Sequence, residues 1–180
     1  MIRHTLILLI IFPVRVAAQH TLDFTGERID FEINSQEFTV NAIYYFVNGS
    51  ASTLSQAMLF PFPGTADSVE VNRVYNLTYS RHIPYRASDS AMTFKVTVLP
   101  EDTVIVNIRY SQKTRKKNVY ILESTWTWKR ALQHAEYSLI TDQSIRVDRL
   151  SIAPDTMLDN VYHWTKKDFY PDDNFIIWIE

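Results

Sequence analysis

Apolar and polar residues alternate with a period of two along most of the chain, and this spacing predicts strands. Ile29, Phe31 and Ile33 alternate with Arg28, Asp30 and Glu32, a strand buried on one face. After a turn at Asn34-Ser35, Phe38, Val40, Ala42, Tyr44 and Phe46 share one face of the next strand. Thr39, Asn41, Ile43 and Tyr45 share the other, so burial spreads from one side to both along its length. Asn48-Gly49 is a hairpin signal, and it predicts a return strand from about Thr53 to Phe60. That strand runs into Leu59-Phe60-Pro61-Phe62-Pro63. Proline donates no ladder hydrogen bond and holds the preceding residue extended, so this segment reads as a corner leaving the sheet. Phe60 or Phe62 is expected to be buried between two sheets.

Ser68 to Asn72 reads as a short strand, and Tyr75 to Ser90 as a loop or short irregular strands. Met92, Phe94, Val96 and Val98 alternate with Thr93, Lys95 and Thr97. Leu99-Pro100-Glu101-Asp102 then turns the chain into Val104, Val106, Ile108 and Tyr110, the clearest hairpin pattern present. Gln112 to Lys117 carries four basic residues and reads as a solvated hairpin tip. Val119 to Leu122 continues as a strand, with Trp126 and Trp128 following on one face. Lys129 to Ala135 reads as a helical turn or loop. Tyr137 and Leu139, then Ile145 to Ile152, read as two strands. Pro154 to Asn160 reads as a loop, Val161 to Trp164 as a short strand and Asn174 to Ile179 as a last one. Nine to eleven short strands at turn spacing predict an all-β, antiparallel β-sandwich of immunoglobulin-like architecture.

The first residues break this pattern. A short basic start is followed by an apolar run from Leu6 to Phe12 and by Val16-Ala17-Ala18, the layout of a signal peptide cut after Ala18. The run is interrupted by Pro13 and Arg15, short of the roughly 20 apolar residues a spanning helix needs. Residues 1–18 are therefore expected to be removed. Residues 19–180 would form one sandwich domain in the periplasm or outside the cell, with no membrane span.

Composition adds two constraints. The chain of 180 residues contains no cysteine, so an exported domain must hold together without disulfides. Removing Arg3 and Arg15 leaves 16 basic residues against 20 acidic ones, a net charge of about −4. A mildly acidic domain is not expected to bind nucleic acid.

Several stretches resemble an uncharacterised group of bacterial exported β-sandwich domains. They are Tyr45-Phe46-Val47-Asn48, Leu59-Phe60-Pro61-Phe62-Pro63, Asp67-Ser68-Val69, Val104 to Tyr110 with Gln112, Tyr120-Ile121-Leu122, Trp128 with Ala131-Leu132, Ala135 to Tyr137, and Phe169-Tyr170-Pro171-Asp172. Their order is also similar, more weakly, to the N-terminal sandwich domain of inter-alpha-trypsin-inhibitor heavy chains. The resemblance implies a fold and an exported, bacterial setting. The first group brings no established activity. The second implies extracellular complex formation.

Candidate chemistry is sparse. His20, His82, His134 and His163 fall in no catalytic spacing, and no G-x-S-x-G is present. No histidine pair lies at zinc-ligand spacing. Asp155, Asp159, Asp172 and Asp173 are weak calcium candidates in late loops, without a D-x-[DN]-x-[DN]-G pattern. Glu123 beside the tryptophans is the one carboxylate worth following for glycoside chemistry. Asn48-Gly49-Ser50 and Asn76-Leu77-Thr78 match the N-glycosylation pattern but read as turns in a bacterial protein. Aromatics crowd the last third, and Trp126, Trp128, Tyr162, Trp164 and Tyr170 are the candidate binding residues. The expectation is a non-catalytic interaction or structural module with a protein or glycan partner and no cofactor. The alternatives are a carbohydrate-binding module and a hydrolase without a recognisable site.

Overall fold

A computed structural model describes residues 21–64 and 69–180. The expected signal peptide and Ser68 lie outside the described residues. Among those described, the first strands are β1 (Asp23–Ile33), β2 (Glu37–Val47), β3 (Leu54–Pro61), β4 (Val69–Asn76), β5 (Arg81–His82), β6 (Tyr85–Ala87) and β7 (Ala91–Val98). They are followed by β8 (Thr103–Lys113), β9 (Lys117–Tyr120), a 3-10 helix (Glu123–Trp128), β10 (Leu132–Thr141), β11 (Val147–Leu150), β12 (Thr156–Leu158), β13 (Val161–Phe169) and β14 (Phe175–Ile179). No helix among the described residues is long and apolar enough to cross a membrane.

One sheet has eight strands in the order β12-β13-β10-β1-β2-β8-β4-β5. Two three-stranded sheets, β11-β14-β9 and β3-β7-β6, cover its inner face. The chain is thus an all-β sandwich, with fourteen strands among the described residues rather than nine to eleven. The surplus includes β5 and β6, pieces of two and three residues in the segment read as a loop or short irregular strands, and β12, three residues in a segment read as a loop. So short a strand leaves no measurable alternation. One pair departs from the antiparallel rule: β1 runs parallel to β10, with Ile29 opposite Tyr137.

Aromatic rings join the layers. Phe175 of β14 meets Phe31, Tyr137 and Trp164 of the large sheet at centroid distances of 4.8, 5.4 and 4.8 Å. At the other end Phe62 is 3% exposed and meets Tyr110 at 5.4 Å, while half-buried Phe60 meets Tyr44 at 6.0 Å. The Pro-Phe-Pro segment is therefore the inter-sheet corner its proline spacing predicts.

Both expected hairpins are corrected. β2 pairs with β1 and β8, whereas β3 pairs with β7. β7 in turn pairs with β3 and β6, and β8 with β2 and β4. The turns at Asn48-Gly49 and Leu99 to Asp102 are arches between facing sheets. A two-residue type I′ hairpin needs positive φ at both central residues. Neither Asn48 nor Gly49 has it. Asn48 is instead fully buried and ties the two arches together. Its Nδ2 donates to the carbonyls of Val98 (3.1 Å), Leu99 (2.9 Å) and Ser52 (2.8 Å), and its Oδ1 accepts from the Ser50 amide and hydroxyl. The basic tip at Gln112 to Lys117 is also a crossing, from β8 to β9, which pairs with β14. Trp126 and Trp128 lie in the 3-10 helix rather than on a strand, so they do not share one face.

One glycine is required by packing. A Cβ on Gly26 would lie 2.7 Å from the backbone oxygen of His134, where β1 and β10 approach closely. Between Phe24 and Gly26 the β1–β2 register shifts through a bulge. That bulge places both Phe24 and Glu27 on the inner face.

Candidate functional site

The two small sheets meet above β1, β2 and β8, and the junction leaves a cavity of about 610 Å³. Its lining follows from strand parity. Glu27 continues the inward phase of Ile29, Phe31 and Ile33 on β1. Tyr44 and Phe46 continue that of Phe38, Val40 and Ala42 on β2. Phe24, Met58, Phe94, Ile108 and Tyr120 complete the buried wall, and Phe60 and Trp128 are half-buried within it. Phe24, Phe46 and Trp128 form an aromatic triangle with centroid separations of 5.5, 5.6 and 5.8 Å. Thr21, Leu59, Thr127 and Arg130 form an exposed rim, where Arg130 pairs with Asp23 at 2.9 Å.

Glu27 is the buried acidic side chain of the lining, 2% exposed, whereas Asp23 at the rim is partly exposed and paired with Arg130. The Glu27 Oε1 accepts a hydrogen bond of 2.7 Å from the Tyr137 hydroxyl. None of the ion pairs among the described residues involves Glu27. Burial removes water from the carboxylate and raises its pKa from 4.5 to about 7, while the Tyr137 hydrogen bond pulls the other way. The hydroxyls of Tyr44 and Tyr120 are 2.7 Å apart and donate one to the other. Burial and then the nearby Glu27 charge raise the Tyr44 pKa well above its usual value. Burial, with the Tyr44 and Glu27 charges, does the same to Tyr120. The three hydroxyl side chains of the 3-10 helix in the lining donate to backbone carbonyls: Ser124 to Ile121, Thr125 to Leu122 and Thr127 to Ser124. No histidine among the described residues lines the cavity, so none of those described offers these hydroxyls an activating imidazole; His20 lies outside the described residues.

The five aromatic candidates are dispersed. Trp128 lines the cavity. Trp164 is 1% exposed, a core residue whose indole N–H donates to the Ile152 carbonyl at 3.1 Å. Tyr162 packs beside it, with ring centroids 6.4 Å apart. Trp126 and Tyr170 are exposed, and the Trp126 indole donates to the Pro171 carbonyl. They do not make one flat stacking row.

The four aspartates do not converge. Asp155 accepts from Lys166 Nζ and from the Thr165 amide, both at 2.7 Å, and these hold its carboxyl below the usual range. Asp173 accepts from the Asn174 amide at 2.7 Å. No group of three or more His, Asp or Glu side chains among the described residues is placed to hold a metal ion. Of the histidines, His134 contacts Glu136 at 2.8 Å and His82 meets the Tyr75 ring edge-on at 5.0 Å. His163 lines a shallower polar groove of about 690 Å³ on the large sheet, with Arg28, Asp30 and Glu136. Its Asp30 is already engaged by Ser138 at 2.8 Å and Arg28 at 3.6 Å. Asn48 and Asn76 are buried and hold corners, which leaves no room for a glycan at either position.

No family model matches the chain, and no curated protein matches it. Solved structures do match its fold. A "putative nutrient binding protein" from Legionella pneumophila superposes with a TM-score of 0.70 at 16% identity, over 90% of this chain and 68% of that one. The M1 zinc metallopeptidase of Deinococcus radiodurans gives a TM-score of 0.53 at 9% identity over 89% of this chain. Leukotriene A4 hydrolase of Saccharomyces cerevisiae gives 0.54 at 8% over 88%. This chain spans only 42% and 29% of those two enzymes. At such identities the likeness is one of fold.

Proposed function

We propose that the protein is an exported, non-catalytic binding module that takes a small, largely apolar ligand into the cavity between its sheets. The observation that carries this reading is the cavity itself. At about 610 Å³ it lies within the roughly 300–1,000 Å³ usual for ligand sites. Its inner wall is largely aromatic and aliphatic, with Glu27 buried in it, and polar side chains such as Thr21, Gln56, Thr127 and Arg130 also line it. The hydroxyls committed to backbone carbonyls favour binding over hydrolysis. The fold shared with a protein described as nutrient-binding agrees with a ligand-holding role. The exposed part of the late aromatic cluster is confined to Trp126 and Tyr170, which gives a sugar-stacking surface little support.

The test is binding of a neutral solvatochromic dye such as Nile red to the full chain. Emission should rise and saturate at one dye per chain. Ile108→Phe places a larger side chain in the cavity wall and should abolish saturable binding while the thermal transition is kept. Dye binding of equal strength in folded Ile108→Phe protein would refute the cavity as the site.

A further inference from the structure

We propose that the ligand is an organic ammonium ion, held with its charged end against Glu27 and its apolar body against the Phe24–Phe46–Trp128 triangle. This inference rests on the cavity being the binding site.

The argument begins with charge. A carboxyl in an aromatic wall is costly to bury when nothing neutralises it. Among the described residues, the elements around Glu27 bring phenols toward it: Tyr137 from β10, Tyr44 from β2 and Tyr120 from β9. None of the side chains that β3, β7 and the 3-10 helix contribute to the lining is acidic, basic or phenolic. The cationic residue in the lining, Arg130, is 70% exposed at the rim and already paired with Asp23. Among the described residues none supplies a positive charge to Glu27, and the ligand supplies it when the carboxyl ionises.

The walls select the same class. Aromatic faces carry negative potential and attract a cation lying over them within about 6 Å of the ring centre. An anionic ligand would meet both that potential and the carboxylate, with no buried cation among the described lining residues to receive it. A sugar would require many convergent polar groups, and the Tyr44 and Tyr120 hydroxyls are bonded to each other. A neutral hydrocarbon would fit the rings but give the carboxyl no role. A primary or substituted ammonium with an aryl or alkyl tail uses every feature present.

The same geometry makes binding sensitive to pH. An ammonium ion needs the ionised carboxylate, and burial holds Glu27 partly protonated near neutrality. Raising the pH completes its ionisation and strengthens binding. Lowering the pH empties the site while the ligand stays charged.

The test is calorimetric titration of the full chain with three matched probes: 2-phenylethylammonium, neutral 2-phenylethanol and anionic phenylacetate. At about pH 8 the ammonium should bind at least about tenfold more tightly than the alcohol, and phenylacetate should bind most weakly. From about pH 8 to about pH 5 the ammonium should lose its advantage over the alcohol, a fall of at least about tenfold in affinity, as Glu27 takes up its proton. Glu27→Gln preserves shape and still accepts the Tyr137 hydrogen bond. It should bring the ammonium down to the level of the alcohol and flatten the pH profile, with the alcohol unaffected. Trp128→Leu, which keeps an apolar though smaller side chain and removes the π face, should weaken the ammonium about fivefold and the alcohol less. Equal affinity of alcohol and ammonium in the native chain, or a pH profile that survives Glu27→Gln, overturns the proposal. If the alcohol and the neutral dye bind but the ammonium gains nothing, only the ligand class is wrong. If none of them binds, the cavity reading falls with it.

Discussion

Replacing Glu27 by glutamine should make the protein more stable, and only at neutral to alkaline pH. The folded-state pKa of about 7 lies above the unfolded value of 4.5. Below 4.5 both states hold the proton and the group is neutral in its effect on folding. As pH rises from 4.5 to 7 the unfolded chain releases the proton first, so folding stability falls. Above 7 the loss is complete. The shift of about 2.5 units corresponds to a penalty of about 3 kcal/mol, at 1.36 kcal/mol per unit. The uncharged amide of the variant would carry no such penalty. The stability gain of the variant over the native chain should therefore grow by about 3 kcal/mol between about pH 4.5 and about pH 8.5. In a chain of this size that is roughly 6–12 °C in Tm. Urea unfolding at the two pH values, followed by fluorescence, measures the gain directly. The reasoning fails if the gain is the same at both pH values, or if the variant is the less stable protein at the higher one.

Tyr137→Phe removes the hydroxyl that donates to Glu27, so the Glu27 midpoint should move above that of the native chain. A carbon-13 titration of the Glu27 carboxyl reads the shift, and an unchanged or lower midpoint would count against the hydrogen bond. Gly26→Ala puts a methyl group 2.7 Å from the His134 oxygen and should cost about 1–3 kcal/mol in urea unfolding. Loss of less than a few tenths would mean that β1 and β10 separate freely. Asn48→Ala strips the donor from three arch carbonyls and should cost about 2–3 kcal/mol, measured the same way. A neutral result would show that water replaces the side chain at this corner.

Strand faces were legible because parity is local. The inward row Phe38, Val40, Ala42, Tyr44 and Phe46 is buried as its alternation predicts. Partner choice was not legible, because Val96 and Val104 would alternate identically in a hairpin or in two sheets facing each other. Asn48-Gly49 misled for a related reason. The dipeptide suits a type I′ turn, but burial of the Asn48 amide gives it three carbonyls to bond and a different backbone. The parallel β1–β10 pair joins residues more than a hundred positions apart, and no short-range signal announces it.

The cavity was half visible. Glu27 sits two residues before Ile29, in the phase of the buried row, and a carboxyl in that phase was a readable sign. Phe24 was hidden by the bulge, which breaks the count between it and Glu27. The late aromatics stood out because tryptophan is conspicuous in any sequence. Yet Trp164 belongs to the core, and of the five candidates Trp128 is the one lining the cavity, because the 3-10 helix directs it there. Most of the lining comes from early strands whose aromatics read as ordinary core.

The most direct test of the binding site is amide chemical-shift mapping of the full chain with 2-phenylethanol, which needs no charge on the ligand. The account predicts saturable shifts concentrated at Phe24, Glu27, Tyr44, Phe60 and Trp128, with the outer groove around Asp30, Glu136 and His163 unmoved. Saturable shifts confined to that groove, or to exposed Trp126 and Tyr170, would contradict it.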